Sequence, residues 1–347
     1  MRKWEDNSWS MGDLKIQLPV VQGGMGVGIS LHGLASAVAA QGGVGVISAT
    51  GLDFMKQGRT IAAEIRVAKE KTRGVIGVNI MVALRDFEKL VRESIAAGAD
   101  IIFAGAGLPL ELPGLLPENC RTKLAPIVSS GKAAKLIAKR WQSRYGYTPD
   151  AVVVEGPLAG GHLGFKTEEL TDPDCTLESI FKDVQQELEP YGPIPLIAGG
   201  GIYYGGDIAK ILELGASAAQ LGSRFVATTE CDASLEFKEA YLRAKKEDVR
   251  LIESPVGLPG RAFRSDFLQA VARGEKRPAF CEFNCLVPCK KTQAPYCIAH
   301  ALVNAYRGNM EEAFVFTGAK GYLAEEILPI SEVFDLLKAE YESGRES

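Results

Sequence analysis

No block of basic residues and no aromatic-plus-basic stripe occurs anywhere in this 347-residue chain. Lys and Arg number 39 against 43 Asp and Glu, a net charge of −4. Nucleic acid therefore finds no electrostatic footprint here. No apolar run approaches the ~20 residues that span a bilayer, so no membrane helix is expected. The opening stretch, MRKWEDNSWSMGDLKIQ, carries acids and lacks an apolar h-region. It does not read as a secretory signal, and a cytoplasmic location is expected. The signature G-x-x-x-x-G-K-[ST] is missing, which excludes a P-loop. Histidine is scarce: His32, His162 and His300 are the full set. Cysteine is odd in number, at seven. Without a secretion signal, these residues read as reduced thiols or ligands rather than disulfides.

What is present is a repeated unit. Apolar residues make up 46% of the chain, enough for a large core. Length alone suggests two domains, but α/β barrels hold about 250 residues as one. Eight short apolar runs recur: PVVQ (19–22), VGVIS (44–48), GVIGVNI (74–80), DIIFAG (100–105), LAPIVS (124–129), AVVVE (151–155), PLIAG (195–199) and AAQLG (218–222). Most lack apolar/polar alternation, as expected of parallel strands buried on both faces. Amphipathic helical stretches lie between them at 31–41, 60–71, 86–98, 131–142, 176–188 and 206–215. This alternation predicts a TIM (β/α)8 barrel over residues 1–245. Residues 246–347 break the pattern. SPVGLPGRAFRSDF (254–267) begins as a loop, CEFNCLVPCKKTQAPYC (281–297) is cysteine-rich, and helices are expected at 298–308 and 330–343. We read this segment as partly helical and packed near the barrel mouth, where it completes or covers the active site; a small separate domain is the alternative.

Active sites of such barrels lie at the C-terminal ends of the strands, with phosphate frequently bound after strands seven and eight. AGGGIYYGGD (198–207) follows the seventh run, and QLGSRF (220–225) ends the eighth. Gly199, Gly200, Gly201, Gly222 and Ser223 are natural backbone donors to a phosphate. Arg224 is the only cation in these turns, which suits a cofactor with one terminal phosphate. After the sixth run comes EGPLAGGHLGF (155–165), which sets His162 among glycines at a strand end. An imidazole there can donate a hydrogen bond or exchange a proton near neutral pH.

Together these pieces resemble the nitronate monooxygenase family, which also holds the FabK-type enoyl-ACP reductases. The likeness is carried by VVQGGMGVGIS (20–30), GVNI (77–80), EGPLAGGHLGF (155–165), IAGGGI…GDIAKILELGASAAQLGSRF (197–225) and SPVGLPGRAF (254–263). The resemblance implies an FMN-dependent oxidoreductase. Gly24, Met25 and Gly26 would pack against the isoalloxazine edge, and Asn79 would bond the ring. The glycine turns would hold the phosphate, and Gln220 would sit near the cofactor. Glu155, Gly160 and Gly161 would belong to the cofactor-binding loop, whose glycines leave room for a flat substrate. His162 would lie over the flavin. The implied reaction oxidises an alkyl nitronate with O2 to a carbonyl compound and nitrite. The alternatives are NAD(P)H-dependent reduction of an enoyl thioester or of a quinone. The substrate is thus a small molecule, a nitronate or an enoyl thioester, and a homodimer is left open. An IMP dehydrogenase-like barrel would need a cysteine in the loop after the sixth strand, and none is there.

Cys281, Cys285, Cys289 and Cys297 follow the spacing C-x3-C-x3-C-x7-C. If the first stretch is helical, Cys281 and Cys285 share a face. Pro288 would then turn the chain and gather four thiolates. A [4Fe–4S] cluster, a zinc site and plain thiols are all compatible with this pattern. A metal-stapled interaction module on a vestigial barrel is the non-enzymatic alternative, and the intact glycine motifs argue against it.

Overall fold

The computed structural model describes residues 3–55, 58–275, 281–290 and 292–346. In chain order its strands and helices are β1 (Trp9–Met11), β2 (Leu14–Ile16), β3 (Val20–Gln22), α1 (His32–Ala40), β4 (Val44–Ser48), α2 (Ile61–Lys71), β5 (Val75–Met81), α3 (Phe87–Ala96), β6 (Ile101–Gly105), β7 (Lys123–Val128), α4 (Gly131–Tyr145), β8 (Val152–Glu155), β9 (Gly161–His162), α5 (Leu177–Leu188), β10 (Leu196–Gly199), α6 (Gly205–Glu213), β11 (Ala218–Leu221), α7 (Leu235–Arg243), β12 (Val249–Glu253), β13 (Pro259–Phe263), α8 (Asp266–Ala272), α9 (Ile298–Arg307) and α10 (Ile330–Ser343). Strands β3, β4, β5, β6, β7, β8, β10 and β11 close into a parallel barrel, with β11 pairing back onto β3. These are the eight apolar runs of the sequence.

Each strand sends alternate residues to opposite faces. Val44, Val46, Ile101, Phe103, Val153 and Ile197 point inward and fill the barrel, while Ile76, Val78, Val152 and Val154 face the helices. Gly77 has no side chain because the Phe103 ring occupies that space; a Cβ there would lie 2.7 Å from Cε2. The β1–β2 hairpin closes the other end of the barrel, with Met11 and Ile16 buried against the interior residues. Both faces of the barrel strands are therefore apolar, which is why the runs show no alternation of polarity.

The last hundred residues share the core of the barrel. Phe314, Ile330, Val333, Phe334 and Leu337 belong to the same buried cluster as the barrel helices. Helix α10 packs on α6 and α1. The strand β13, in a stretch expected to begin as a loop, pairs antiparallel with β12 and also with β9, where Gly260 lies opposite His162. The segment after α9 continues this layer: Phe263 N–H donates to Val315 O and Thr317 N–H donates to Arg261 O, each at 3.0 Å. Among the described residues the cysteine-rich stretch carries no helix ahead of α9. Arg85 N–H donates to Cys285 O at 3.1 Å and Val287 N–H to Ala83 O at 2.9 Å, an isolated antiparallel bridge between Leu286 and Leu84 in the chain that leaves β5.

Candidate active site

A cavity of about 480 Å³ opens at the C-terminal end of the barrel. It is lined by Gly24, Met25, Gly26, Asn79, Glu155, Gly160, Gly161, His162, Gly199, Gly200, Gly201, Gln220, Gly222 and Ser223, so the non-cysteine candidates all meet in one place.

The loop after β3 forms one wall. Gly23 N–H donates to Leu221 O at 2.8 Å, and Met25 N–H donates to Ser30 Oγ at 2.9 Å. The loop lies so close to β5 that a Cβ on Gly24 would sit 2.7 Å from Asn79 Cγ. Beneath it, Ser48 Oγ and Thr50 Oγ1 are buried with no protein partner among the described residues. Orphaned hydroxyls in a cavity call for a polar ligand edge.

Glycine turns form the far end. Gly200 and Gly201 have φ of +102° and +82°, the left-handed backbone that glycine adopts without strain. Among the described residues, the N–H groups of Gly200, Gly201 and Ser223 have no hydrogen-bond partner. The first turn of α6 is by contrast fully used. Tyr203 and Tyr204 N–H donate to Asp207 Oδ2, Gly205 N–H to Glu340 Oε2 and Gly206 N–H to Arg345 O. An anion here is thus served by the turns rather than by the tip of α6. Arg224 turns away: it pairs with Glu340 at 3.1 Å and stacks on Tyr203. The loop Gly318–Lys320 closes this end, and Lys320 Nζ lies 3.7 Å from Asp207 Oδ1. This cation was not singled out in the sequence, because it arrives from residues far down the chain.

FMN fits this arrangement. Free backbone donors and Lys320 suit a single phosphate, and Asn79 with the two orphaned hydroxyls suits the polar edge of a flat ring. Gly222 leaves an open floor, since a Cβ there would have Met25 Sδ as its nearest neighbour at 3.8 Å. Gly222→Ala is therefore expected to keep its melting temperature within about a degree, as for a change with no steric cost. The same variant should weaken FMN binding severalfold because the methyl intrudes on the cofactor's space. Fluorescence titration of the apoprotein alongside calorimetry checks both.

His162 is held from three sides. Its Nε2 lies 2.7 Å from Ser254 Oγ, the Phe316 ring meets it edge-on at 5.1 Å, and β13 pairs with its backbone. Burial pushes its pKa down to about 4, so the ring is neutral near pH 7. Burial pushes the Glu155 carboxyl up to about 7, opposed by the nearby Arg261 guanidinium. Arg261 is itself buried and donates to Ala159 O in the His162 loop. Ser254, Arg261 and Phe316 were missed in the sequence. SPVGLPGR shows only turn chemistry, and the contacts exist only after docking.

None of the four clustered cysteines is in a disulfide. Burial pushes Cys285 up to about 11, with the other three thiols adding to the effect, which keeps it protonated. Among the described residues no three His, Cys, Asp or Glu side chains are arranged to hold a metal ion. The expectation that Cys281, Cys285, Cys289 and Cys297 hold an iron–sulfur cluster or zinc is thus not supported. Cys285 instead lines the cavity beside Leu286. His32 Nδ1 lies 2.7 Å from Glu64 Oε2, tying α1 to α2. His300 lies 3.2 Å from Glu282 Oε2, away from the cavity. No helix among the described residues is long and apolar enough to cross a membrane.

A family model described as nitronate monooxygenase matches residues 7–94 and 68–340. A nitronate monooxygenase of Pseudomonas aeruginosa is 29% identical, over 94% of this chain and 97% of that protein. A hydroxy-methyl-oxo-octahydroindene carboxyl-CoA dehydrogenase of Rhodococcus jostii is 26% identical over 74% of this chain, a match that spans only 65% of the dehydrogenase. Among solved structures, FabK from Thermotoga maritima superposes with a TM-score of 0.75 at 27% identity, covering 94% of each chain. A nitroalkane oxidase from Streptomyces ansochromogenes gives 0.71 at 24% identity, covering 95% and 97%, a likeness of fold.

Proposed function

The chain belongs to the nitronate monooxygenase family, and from that premise we propose that it is an FMN-dependent enzyme oxidising alkyl nitronates with O2 to a carbonyl compound and nitrite. The carrying observation is the neutral, fixed imidazole of His162 over the cavity. A nitronate arrives already deprotonated, so it needs no strong base. It needs a flat apolar slot, a hydrogen bond to one oxygen and shelter from water. The substrate half of the cavity provides the slot, with Phe54, Met81, Leu108, Leu258, Leu302 and Phe316 on its walls. FMN, when bound, supplies the redox chemistry. His162 donates to the substrate oxygen, and the loop 156–164 keeps bulk away from the ring face.

The second reading is reduction of an enoyl thioester. It draws on Glu155, a buried acid with a pKa near neutrality that could deliver the proton such a reduction consumes. The cleft beside the cavity mouth argues against a phosphorylated carrier. Among the described residues it carries Asp53, Asp86 and Glu282 against Arg85 and Lys89, with no surplus of positive charge. Mixing the holoenzyme with an alkyl nitronate, without O2 or NADH, separates the two readings. Bleaching of the flavin absorbance is expected. No change with nitronate, followed by bleaching on addition of NADH, would move the assignment to a reductase.

A further inference from the structure

The hairpin β12–β13 carries Ser254 to the imidazole from 92 residues down the chain. Ser254 is buried, and its backbone is fixed by a tight turn in which its N–H donates to Leu258 O and its carbonyl accepts from Gly257 N–H. Among the described residues its hydroxyl oxygen has two hydrogen-bond partners, His162 Nε2 at 2.7 Å and Val256 N–H at 3.5 Å. The backbone N–H can only donate. The hydroxyl proton therefore has one acceptor, the lone pair of Nε2. Were Nε2 to carry the ring proton instead, two N–H groups would point at one oxygen, and the buried O–H would be left with no acceptor at all. An unsatisfied buried hydroxyl costs more than a met one returns.

We propose that Ser254 is a positioning residue that fixes His162 as the Nδ1–H tautomer, so that the ring presents a neutral N–H donor, not a lone pair, to the substrate. Nδ1 has no protein partner among the described residues, and His162 lines the cavity. The nitrogen that carries the proton is thus the one left for a ligand, as a ring's second hydrogen bond sets its tautomer. The titratable and charged groups near this ring are few. Glu155 sits at the end of β8 and Arg261 on β13, while Lys320 closes the phosphate end of the cavity. For its functional meaning the inference rests on the nitronate reading: an anionic oxygen wants a donor, whereas proton abstraction would want the lone pair.

The test uses holoenzyme labelled with 15N-histidine. With three histidines in the chain, each ring is resolvable, and the His162→Ala spectrum assigns the missing one. The expected result is an Nδ1–H pattern for His162 that stays neutral down to about pH 5, the depressed pKa being about 4. Ser254→Ala should shift the ring toward Nε2–H. It should also move its titration upward, because a hydrogen bond to the neutral form has been removed. Turnover should fall about tenfold with FMN content unchanged, at the lower end of what losing a partner that orients a functional histidine costs. Ser254→Thr, which keeps the hydroxyl, should restore the wild-type pattern. An Nε2–H tautomer in the wild type overturns the inference, and that measurement stands even if Ser254→Ala does not fold. The two readings fail separately. A holoenzyme inert to nitronates removes the proposed substrate and leaves the tautomer intact, and an Nε2–H ring removes the role of Ser254 and leaves nitronate turnover intact.

Discussion

His162→Ala is expected to purify with a full complement of FMN and to lose turnover by roughly 10²- to 10³-fold, the usual loss for one directed donor at a reacting oxygen. The cofactor should stay because no contact of the proposed seat depends on the imidazole. Those contacts come from the turns at Gly200, Gly201 and Ser223 and from Asn79. The loop should keep its course, since Leu163 N–H donates to Pro259 O at 2.9 Å and Arg261 holds Ala159 O. Flavin absorbance per protein and steady-state oxygen uptake with an alkyl nitronate make the comparison. Full activity would remove the histidine from the mechanism. Loss of flavin would make it part of the cofactor seat instead.

Gly24→Ala should act in the opposite way, through the cofactor. The new Cβ would meet Asn79 Cβ and Cγ. Asn79 Cβ is anchored to the backbone of β5, a barrel strand paired on both sides, and cannot swing aside. The loop 23–30 must lift, or the asparagine must leave its place. Either movement spoils the proposed seat of the ring. Overpacking of this kind costs about 1–3 kcal/mol, so a lower melting temperature should accompany at least a tenfold weaker hold on FMN. Unaltered flavin content and stability would show that the loop has slack the structure does not suggest. Set beside Gly222→Ala, where nothing is crowded, the pair separates steric damage to the fold from intrusion on the cofactor.

The barrel was legible because its signal is local. Eight apolar runs, each closed by glycine or a polar turn, appear in the structure as the eight barrel strands, and the helix between β10 and β11 falls where the pattern placed it. The glycine-rich turns could be read in the same way, because backbone approach to a phosphate needs glycine wherever it occurs. The contributions of Ser254, Arg261, Phe316 and Lys320 could not. Each acts at a distance set by how the C-terminal hairpin and the loop 315–320 dock, and no periodicity encodes that. The cysteines show the converse. Their spacing is conspicuous in the sequence, yet among the described residues no three metal-ligating side chains are arranged to hold an ion, and residues 285–287 bond instead to the backbone of 83–85. Spacing argues for a site only when the local conformation is also known.

The docking of β13 on β9 has a consequence for the order in which the molecule is assembled. During synthesis the barrel strands emerge first, and the cofactor turns can form once β11 has closed on β3. Ser254, Phe316 and the Gly318–Lys320 loop follow later, and long-range pairings form slowly because loop closure must precede their reward. A chain paused at that stage would present a cofactor seat open to bulk water, its histidine unfixed and its apolar walls bare. Reactive flavin chemistry would then lack its shelter from solvent. Catalytic competence thus trails barrel closure, and refolding followed by flavin fluorescence and by nitronate turnover should show the first signal arriving before the second.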